Sequence, residues 1–398
     1  MAYPRFGEGP GLERVGAVAR RLGIDLAAFG KGGAAIVGSN GKGSTAAMTA
    51  ALLRQAAPGT GLFTSPHLFD LNERFKIDGE DIGDDELDRH WRRVEDAIQA
   101  LGLANKAGGF EFLFLIAADW FAARNCAHTV WEAGIGGRLD PVRLIEARGL
   151  ALTSLDLEHT ELLGNTLEEI ARDKICAAPK GARLFVGEAI GARAEIEATC
   201  RELGVSPAFV APIREAPLPG AHQRANAALA IELARDLAPL SDGQVSAGLA
   251  ATRWPGRLEV IEEDPLIVID VGHTPGAIRA ALEGFSERFA RKGLLVCGVS
   301  RDKKTAELIA ALAGSFDTII CAAARHKGAP AGEIAAHASA ANPSAEITIA
   351  ESVADARRLA LAKARSAQTA VYVAGGLFLA AEFKAIHLGR DPASLAFF

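Results

Sequence analysis

The segment from Gly38 to Thr45 combines small residues with one lysine and three hydroxyls, and it directly follows the apolar run Ala34–Val37. Small residues let backbone N–H groups close around phosphate oxygens at the start of a helix, where the helix dipole also favours an anion. Lys42 can neutralise the β- and γ-phosphates, and the hydroxyl of Ser44 or Thr45 can reach Mg²⁺. The segment therefore predicts a phosphate loop between a strand and a helix.

This loop departs from the usual phosphate-loop spacing at two positions. Ile36 stands where the first glycine is expected, and Gly43 is inserted before the hydroxyl. A glycine-rich turn with a surface lysine is the plainer alternative, but the order of strand, loop and helix favours a phosphate site. A dinucleotide-binding loop is excluded, because the segment lacks the G-x-G-x-x-G spacing and carries a lysine suited to a triphosphate.

Three further groups of residues have side chains that can bind a metal or an anion. They are Thr64–Leu68 with Asn72–Arg74, Trp131–Asp140, and Glu158–Thr160 with Asp173–Lys174. The first group, taken alone, is typical of a loop with a proline turn. The other two follow predicted strands, and α/β sheets bind ligands at the carboxyl ends of their strands.

Each of these residues also has an ordinary structural explanation. Glu132 can hold Mg²⁺, which prefers carboxylate and phosphate oxygens, or it can pair with Arg138. His159 can be a hydrogen-bonded core histidine, and Lys174 can be a solvated helix lysine. The residues alone leave these alternatives open.

Strand-like and helical patterns alternate along the chain, which predicts parallel α/β layers. In the first part, strands are predicted at 34–37, 129–131 and 150–153, and helices at 44–57, 84–101, 111–124, 166–176 and 222–237. Thr166 and Glu169 are spaced as a capping box. A smaller α/β hairpin region is predicted between the last two helices.

A proline–glycine break at Pro255-Gly256 divides the predicted elements into two groups. After it, strands are predicted at 266–269, 294–297, 318–320, 347–349 and 370–373, separated by helices. This pattern predicts a second doubly wound domain. We expect an ATP-binding domain over 1–253, a C-terminal domain over 254–398, and a hinge near 254–257.

The amino-acid composition excludes several classes of protein. The chain has 398 residues, 49% of them hydrophobic and 23% charged, and a net charge of −6, which argues against a nucleic-acid-binding domain. The longest apolar run, 113–118, is too short to span a bilayer, and the first eight residues lack a signal-peptide core. Five scattered cysteines are typical of reduced thiols. We expect a soluble, cytoplasmic protein. The absence of heptads argues against a coiled-coil dimer, and a monomer is the default expectation.

Across nearly its whole length the chain resembles the folylpolyglutamate synthase/dihydrofolate synthase family, the folate branch of the Mur-type ATP-dependent amide ligases. The resemblance is carried, in order, by residues 11–15, 38–45, 64–74, 132–140, 156–174 and 270–275. The segments 64–68 and 72–74 resemble the folate branch specifically. This resemblance implies a Mur-ligase-like α/β fold, with an N-terminal P-loop ATPase domain built on a mostly parallel sheet and a smaller Rossmann-like C-terminal α/β domain.

The resemblance also implies the roles of individual residues. The ATP-contacting positions are Gly38, Ser39, Asn40, Gly41, Lys42, Gly43, Ser44, Thr45, His222, Gln223, Asn226, Arg257 and Asp270. The resemblance implies two Mg²⁺ ions, with ligands at Ser44, Ser65, Glu132, His159 and Lys174, the last as a carbamylated lysine. The catalytic positions are Lys42, His159, Lys174, Asp270 and His273, and the pterin site includes Thr64, Ser65, Pro66, His67, Asn72 and Arg74.

The reaction that the resemblance implies joins L-glutamate to dihydropteroate, to reduced folates, or to both. A carboxylate of the pterin substrate attacks the γ-phosphate of ATP, and the amine of glutamate then displaces phosphate from the acyl phosphate. The protein contributes mainly positioning and charge neutralisation. Pterin and glutamate are the expected partners, without nucleic acid or membrane, in folate biosynthesis and one-carbon metabolism.

Three segments depart from the family pattern. Pro141–Arg143 replaces Ala-Thr-Asn, Gly272 and Thr274 alter the loop around His273, and Gly375–Phe378 replaces a Gly-Ser-Leu-Tyr-type segment. These differences suggest an extra anion contact at Arg143 and leave two alternatives. One is a paralogous Mur-type ligase for another carboxylate, and the other is a catalytically silent ATP-binding homologue, against which the retained lysines at 42 and 174 argue.

Overall fold

The computed structural model describes residues 7–9, 11–289, 293–395 and 397, which form two β-sheets covered by helices. The first six residues, part of the segment expected to lack a signal peptide, lie outside the described residues. The strands of the first sheet are β1 (Gly33–Val37), β2 (Thr60–Phe63), β3 (Phe75–Ile77), β4 (Glu80–Asp81), β5 (His128–Glu132), β6 (Gly149–Leu152), β7 (Arg183–Gly187) and β8 (Ser206–Val210). The strands of the second are β9 (Glu259–Glu263), β10 (Leu266–Ile269), β11 (Gly293–Cys297), β12 (Thr318–Cys321), β13 (Glu346–Ile349) and β14 (Ala370–Ala374).

Helices connect most of these strands. They are α1 (Leu12–Leu22), α2 (Lys42–Ala56), α3 (Asp84–Ala100), α4 (Gly109–Ala123), α5 (Thr160–Leu163), α6 (Leu167–Ile175), α7 (Arg193–Leu203), α8 (Ala221–Leu237), α9 (Asp242–Ala251), α10 (Pro275–Phe289), α11 (Thr305–Ala313), α12 (Ala331–Ala341), α13 (Val353–Ala367) and α14 (Leu377–His387). The predicted helices are confirmed to within three residues at each end, and Thr166 caps α6 in the predicted capping box.

The first sheet has the order β4-β3-β2-β5-β1-β6-β7-β8 and is parallel except at β3 and β4. This confirms a mostly parallel sheet, with the strand that precedes the predicted phosphate loop at its centre. The expected α/β hairpin between α6 and α8 is wrong in one respect, because β7 and β8 pair in parallel through α7. A tight hairpin joins only antiparallel strands, and a parallel pair needs a crossover.

The second sheet has the order β13-β12-β11-β14-β10-β9. Its five predicted strands are confirmed and run parallel, which gives the expected doubly wound architecture. The antiparallel edge strand β9 is not among the predictions. Three of its five residues are glutamates, and such charged edge strands protect a sheet against further pairing but lack a continuous apolar pattern.

Aromatic packing fixes the helix layer beneath the first sheet. Trp131 of β5 lies within 5.0–6.2 Å, between ring centroids, of Phe63, Phe114 and Phe121. Helix α4 supplies two of these rings and is buried from Phe112 to Phe121, as its apolar run predicts. Among the described residues no helix has both the length and the apolar character that a bilayer span requires.

Three ionisable side chains, His90, Arg93 and Asp119, join α3 to α4. They lie far from the phosphate loop in the sequence. Asp119 is 3% exposed and accepts hydrogen bonds from Arg93, with Nε to Oδ2 at 2.9 Å, while His90 Nδ1 lies 2.7 Å from the same oxygen. Burial alone would raise the pKa of Asp119, but the contacts with His90 and Arg93 lower it overall. The ionised carboxylate therefore stabilises this helix pair.

We expect Asp119→Asn to lower the free energy of unfolding by about 2 kcal/mol at pH 7, since it weakens charged hydrogen bonds in a buried position. Because the folded pKa is lowered, the stabilisation exists above the pKa of the unfolded chain and disappears as pH falls through the folded value. Urea unfolding at pH 7 and at pH 3 measures both effects. Asp88→Asn, at an exposed pair with Arg92, is the matched control and should change little; equal losses in both variants would contradict the account.

Candidate active site between the two sheets

A cleft of about 1450 Å³ lies between the two sheets. Its walls come from segments that follow β1, β2, β5 and β6 in the first sheet and β10, β11 and β14 in the second. The carboxyl ends of both sets of parallel strands therefore open into the same space. This is the edge at which open α/β sheets bind their ligands.

The phosphate loop forms one wall of the cleft. Gly41 has a φ of +83°, and a Cβ there would lie 2.6 Å from Asn226 Oδ1, so the position needs glycine both for its backbone and for space. Lys42 begins α2, and its Nζ donates to the carbonyls of Gly38 and Ser39 at 2.8 and 3.2 Å. The predicted strand–loop–helix arrangement is confirmed, which excludes a simple surface turn.

Helix α8 packs against α2 and supports the phosphate loop. Gln223 Nε2 donates to Ser44 Oγ at 3.3 Å, and Asn226 Nδ2 donates to Gln223 Oε1 at 3.0 Å. His222 lines the cleft beside Arg257, and burial together with that cation lowers its pKa to about 4. The imidazole of His222 is therefore neutral at pH 7, and its buried Nδ1 has no hydrogen-bond partner among the described residues.

Glu132 lies at the end of β5 and faces the phosphate loop. Its Oε2 accepts a hydrogen bond from the backbone N of Ser65 at 3.0 Å. Burial raises the pKa of Glu132, and Lys42 opposes this rise more than any other group. The alternative ion pair with Arg138 does not form, because Arg138 Nε bonds Asp173 Oδ2 at 3.1 Å instead.

The loop after β5 is held by two carboxylates. Asp173 accepts from the backbone N of Gly137 at 3.0 Å, and Asp140 accepts from the backbone N of Gly134 and Val142 at 2.8 and 3.0 Å. Burial raises the pKa of Asp140 to about 6.

Pro141 and Val142 form a short 3₁₀ turn capped by Asp140. The altered segment 141–143 therefore serves the loop, and the exposed Arg143 bonds the carbonyl of Arg138 and does not line the cleft, contrary to the expected anion contact.

Lys174 is buried behind the cleft, with 1% of its side chain exposed. Its Nζ donates to Glu158 Oε1 at 2.9 Å, and Glu158 lines the cleft. Burial lowers the pKa of Lys174, although the Glu158 charge opposes that shift. The interpretation of Lys174 as a solvated helix lysine is wrong. His159, next to Glu158, lines the cleft with a φ of +45° and is only half-buried, so it is not a core histidine.

Arg74 lines the cleft and also holds the loop after β2. Its Nε donates to His67 Nδ1 at 2.9 Å, and its Nη1 donates to Ser65 Oγ at 2.9 Å. Burial lowers the pKa of Arg74 to about 10, opposed by the charges of Glu132 and Glu73. The guanidinium thus fixes two side chains whose roles in metal and substrate binding the sequence predicts.

The second sheet contributes the opposite wall. Asp270 accepts from the backbone N of Gly272 at 2.8 Å and of Leu258 at 3.1 Å, and burial raises its pKa. His273 faces the cleft, and desolvation together with the cations Lys303 and Arg257 lowers its pKa to about 4. Both groups therefore lie at the interface between the two sheets.

The structure brings most of the predicted site residues together. Those lining the cleft are Ser39, Asn40, Gly41, Lys42, Gly43, Ser44, Thr64, Ser65, Pro66, His67, Arg74, Glu132, His159, His222, Gln223, Asn226, Arg257, Asp270 and His273. Gly38, Thr45 and Lys174 lie behind this lining. Asn72 does not reach the cleft, because its amide bonds Ile82 O and Asp84 Oδ1 at 2.7 and 2.9 Å.

Sequence reasoning missed some residues of the lining. Lys303 follows β11, and its position after a strand is a signal that could have identified it. Phe110 opens α4 and also faces the cleft, but the continuous apolar run of that helix resembles ordinary core. Asp156 lines the cleft as well and lacks a distinctive pattern of its own.

Comparison with known proteins agrees with this arrangement. The family described as "Mur ligase, glutamate ligase domain" matches residues 256–377. A probable bifunctional folylpolyglutamate synthase/dihydropteroate synthase of Halobacterium salinarum is 33% identical over 95% of this chain, which spans only 49% of that relative. The folylpolyglutamate synthase of Lacticaseibacillus casei is 30% identical over 71% of this chain and 74% of its own length.

Solved structures give the same result over the whole fold. A bifunctional folylpolyglutamate synthase/dihydrofolate synthase of Yersinia pestis, complexed with AMPPNP and Mn, is 30% identical, with a TM-score of 0.84 over 96% of this chain and 94% of that one. E. coli FolC in complex with DHPP and ADP is 27% identical, with a TM-score of 0.86 over 96% and 94% of the two chains. The Yersinia pestis protein thus binds AMPPNP and Mn, and the E. coli protein binds DHPP and ADP.

The two sheets and the cleft with its phosphate loop define a Mur-type ligase fold. Within this class, the chain belongs to the folylpolyglutamate synthase/dihydrofolate synthase family.

The inserted Gly43 has a packing reason. A Cβ at this position, the second residue of α2, would lie 2.7 Å from Cζ2 of the Trp254 indole. We expect Gly43→Ala to destabilise the protein by about 1–3 kcal/mol, because overpacking exceeds the gain in helix propensity. Thermal and urea unfolding measure the change.

Gly243 provides a matched control for this substitution. It is also the second residue of a helix, α9, and a Cβ there meets nothing within 4 Å. Gly243→Ala should leave stability unchanged or raise it by up to about 1 kcal/mol. If Gly43→Ala behaves in the same way, the packing explanation is wrong.

Proposed function

We propose that this protein is an ATP-dependent amide ligase that adds L-glutamate to dihydropteroate, to reduced folates, or to both, and releases ADP and phosphate. One observation carries the proposal: the phosphate loop, the Glu132 carboxylate and the His273 loop of the second sheet all face one cleft. Phosphoryl transfer depends on positioning and charge neutralisation, and these groups supply both.

The geometry of the phosphate loop and of helix α8 supports the proposed nucleotide-binding roles of their residues. Lys42, held across its own loop by carbonyl groups, places a cation where the β- and γ-phosphates bind. Gln223 and Asn226 hold the loop by their contacts with Ser44 and with each other. His222 and Arg257 lie beside them and contact the nucleotide.

The donor set near the loop fits Mg²⁺. Glu132 contributes a buried carboxylate, and Ser44 and Ser65 contribute hydroxyls, which are the hard oxygen ligands that this ion prefers beside phosphate oxygens. The described residues contain no group of three or more His, Cys, Asp or Glu that could bind a metal by itself. That is consistent with an ion carried in with the nucleotide, for which His159 would be a further ligand. When bound, Mg²⁺ neutralises charge on the transferred phosphoryl group.

Lys174 has the environment that carbamylation requires. Burial lowers its pKa and so increases the fraction of neutral amine, which can attack CO₂ to form an N–C bond and release one proton. The product is a carboxylate, a second hard-oxygen group beside Glu158. We include this modification in the proposal.

The two substrates would bind at different ends of the cleft. The first sheet's side of the cleft supplies apolar residues suited to an aromatic acceptor, which are Phe110 and Leu113 of α4 together with Leu139, Leu155 and Leu162. The side near the second sheet carries Lys303 and Lys327, which suit the carboxylates of glutamate. Closure of the two domains, divided near residue 253, would exclude water from the acyl phosphate.

The cellular setting is part of the same proposal. The five cysteines form no disulfide, as expected in a reducing, cytoplasmic compartment. A monomer suffices, since both walls of the cleft belong to one chain.

The activity is tested by ADP release from Mg-ATP and L-glutamate, with dihydropteroate or tetrahydrofolate added in separate reactions. We expect turnover that requires one of the pterins and a product heavier by one glutamyl unit. ATP binding without either product would contradict the folate assignment. It would favour a ligase for another carboxylate, which the loss of polar groups at Gly376 and Phe378 would then explain.

Lys174→Ala should lower the ligase rate by about 100-fold, since the variant cannot form the carbamate. Removal of bicarbonate should slow the unmodified protein and leave the residual rate of Lys174→Ala unchanged. Lys180→Ala, at an exposed lysine close in sequence, is the control and should keep full activity. Full turnover of Lys174→Ala at saturating Mg²⁺ would show that Lys174 has no catalytic part.

A further inference from the structure

One hydrogen bond joins the phosphate loop directly to the second sheet's loop. The hydroxyl of Thr274 donates to Oδ1 of Asn40 at 3.1 Å, across 234 residues of sequence. The same hydroxyl accepts from the backbone N of Ala277 at 3.1 Å and so caps α10. The start of α10 is thereby tied to the loop that carries Lys42.

Asn40 is held in the orientation that this contact needs. Its Nδ2 donates to Asp156 Oδ2 at 2.6 Å, so its Oδ1 is left to accept from Thr274. Its backbone N donates to Ser154 Oγ at 2.8 Å, and its carbonyl accepts from Thr153 Oγ1 at 2.6 Å. Three side chains that follow β6 thus hold Asn40, Asp156 through its side-chain amide and Thr153 and Ser154 through its backbone.

The Asp156 carboxylate also lies directly against the start of α10. A Cβ at Gly276, the second residue of α10, would lie 2.9 Å from Asp156 Oδ2, so the carboxylate rests against the start of this helix. The helix dipole favours a negative charge at that place. Arg279 on the next turn acts on the same carboxylate electrostatically. Asn40 and Asp156 therefore form one contact surface for the amino terminus of α10.

We propose that Asn40 and Thr274 are positioning residues that fix the position of the phosphate loop relative to the His273 loop. The inference rests on the proposed function and adds a specific contact to it. Neither side chain is needed to neutralise phosphate, because Lys42 and the backbone of the loop do so. Loss of the contact should therefore lower the rate of the closed complex more than it lowers nucleotide affinity.

The first test is a double-mutant cycle with Asn40→Ala and Thr274→Val, measuring kcat for ligation and the Kd of Mg-ADP. We expect Thr274→Val to lower kcat by about fivefold, the size expected for one hydrogen bond, with Kd changed by less than about twofold. The double variant should be no slower than Asn40→Ala alone. Thr274→Ser should restore the rate. Strictly multiplicative effects would overturn the proposal, as would an unchanged kcat in Thr274→Val.

Thr274→Val also removes a helix cap, which needs its own control. Ser352 caps α13 in the same half of the chain, with its side chain accepting from the backbone N of Asp355, and it does not line the cleft. Ser352→Ala should leave kcat unchanged. If it slows ligation as much as Thr274→Val does, loss of a cap explains both results and the proposal fails.

Amide hydrogen exchange tests the contact independently of ligation. Thr274→Val should speed exchange in residues 38–42, and Asn40→Ala should speed it in residues 275–279, each about fivefold, because each change releases the opposite partner. Unchanged exchange across the interface would overturn the proposed contact. If the unmodified protein ligates no glutamate but shows this reciprocal exchange, the proposed function fails while the contact stands.

Discussion

The cleft depends on a set of buried and half-buried charges that several elements bring together. Lys42, Glu132 and Arg74 come from three different strand ends, and Glu158 and Lys174 form a further pair behind them. A buried charge without a partner is costly, and even a paired one seldom stabilises a fold more than apolar residues would. Their burial is therefore best explained by chemistry, since a desolvated site strengthens every interaction with a triphosphate.

The rest of the architecture follows from the need to bring these charges together. Parallel pairing places the ends of β2, β5, β1 and β6 side by side, so Ser65, Glu132, Lys42 and Glu158 follow four neighbouring strands. Helix α8 then braces the phosphate loop through Gln223. The strands of the second sheet are arranged in the same way. Their carboxyl ends therefore face the carboxyl ends of the first sheet's strands across the cleft.

Local patterns predicted much of this structure. The strands with continuous apolar residues and the buried helix α4 were identifiable, because burial on both sides leaves a simple signal. The antiparallel strands β3, β4 and β9 were not, since they are short or charged and lack a continuous apolar pattern. A parallel pair such as β7 and β8 likewise cannot be told from a hairpin by composition.

The site shows the same limit. The phosphate loop has a local spacing, so sequence could predict it, whereas the bonds of Arg74 to His67 and Ser65 depend on the fold. Glu132 could be separated from Arg138 only by the fold, which gives Arg138 to Asp173. The bond from Thr274 to Asn40 spans 234 residues and has no counterpart in any local pattern.

The central claim is that this cleft activates a carboxylate by phosphorylating it. The most direct measurement uses an acceptor whose carboxylate is labelled with ¹⁸O and determines the label in the phosphate released during ligation. The account predicts one ¹⁸O atom in each phosphate, because the bridging oxygen of the acyl phosphate leaves with phosphorus when the amine attacks the carbonyl carbon. Phosphate free of label would contradict it and would show that ATP cleavage does not pass through the acceptor carboxylate.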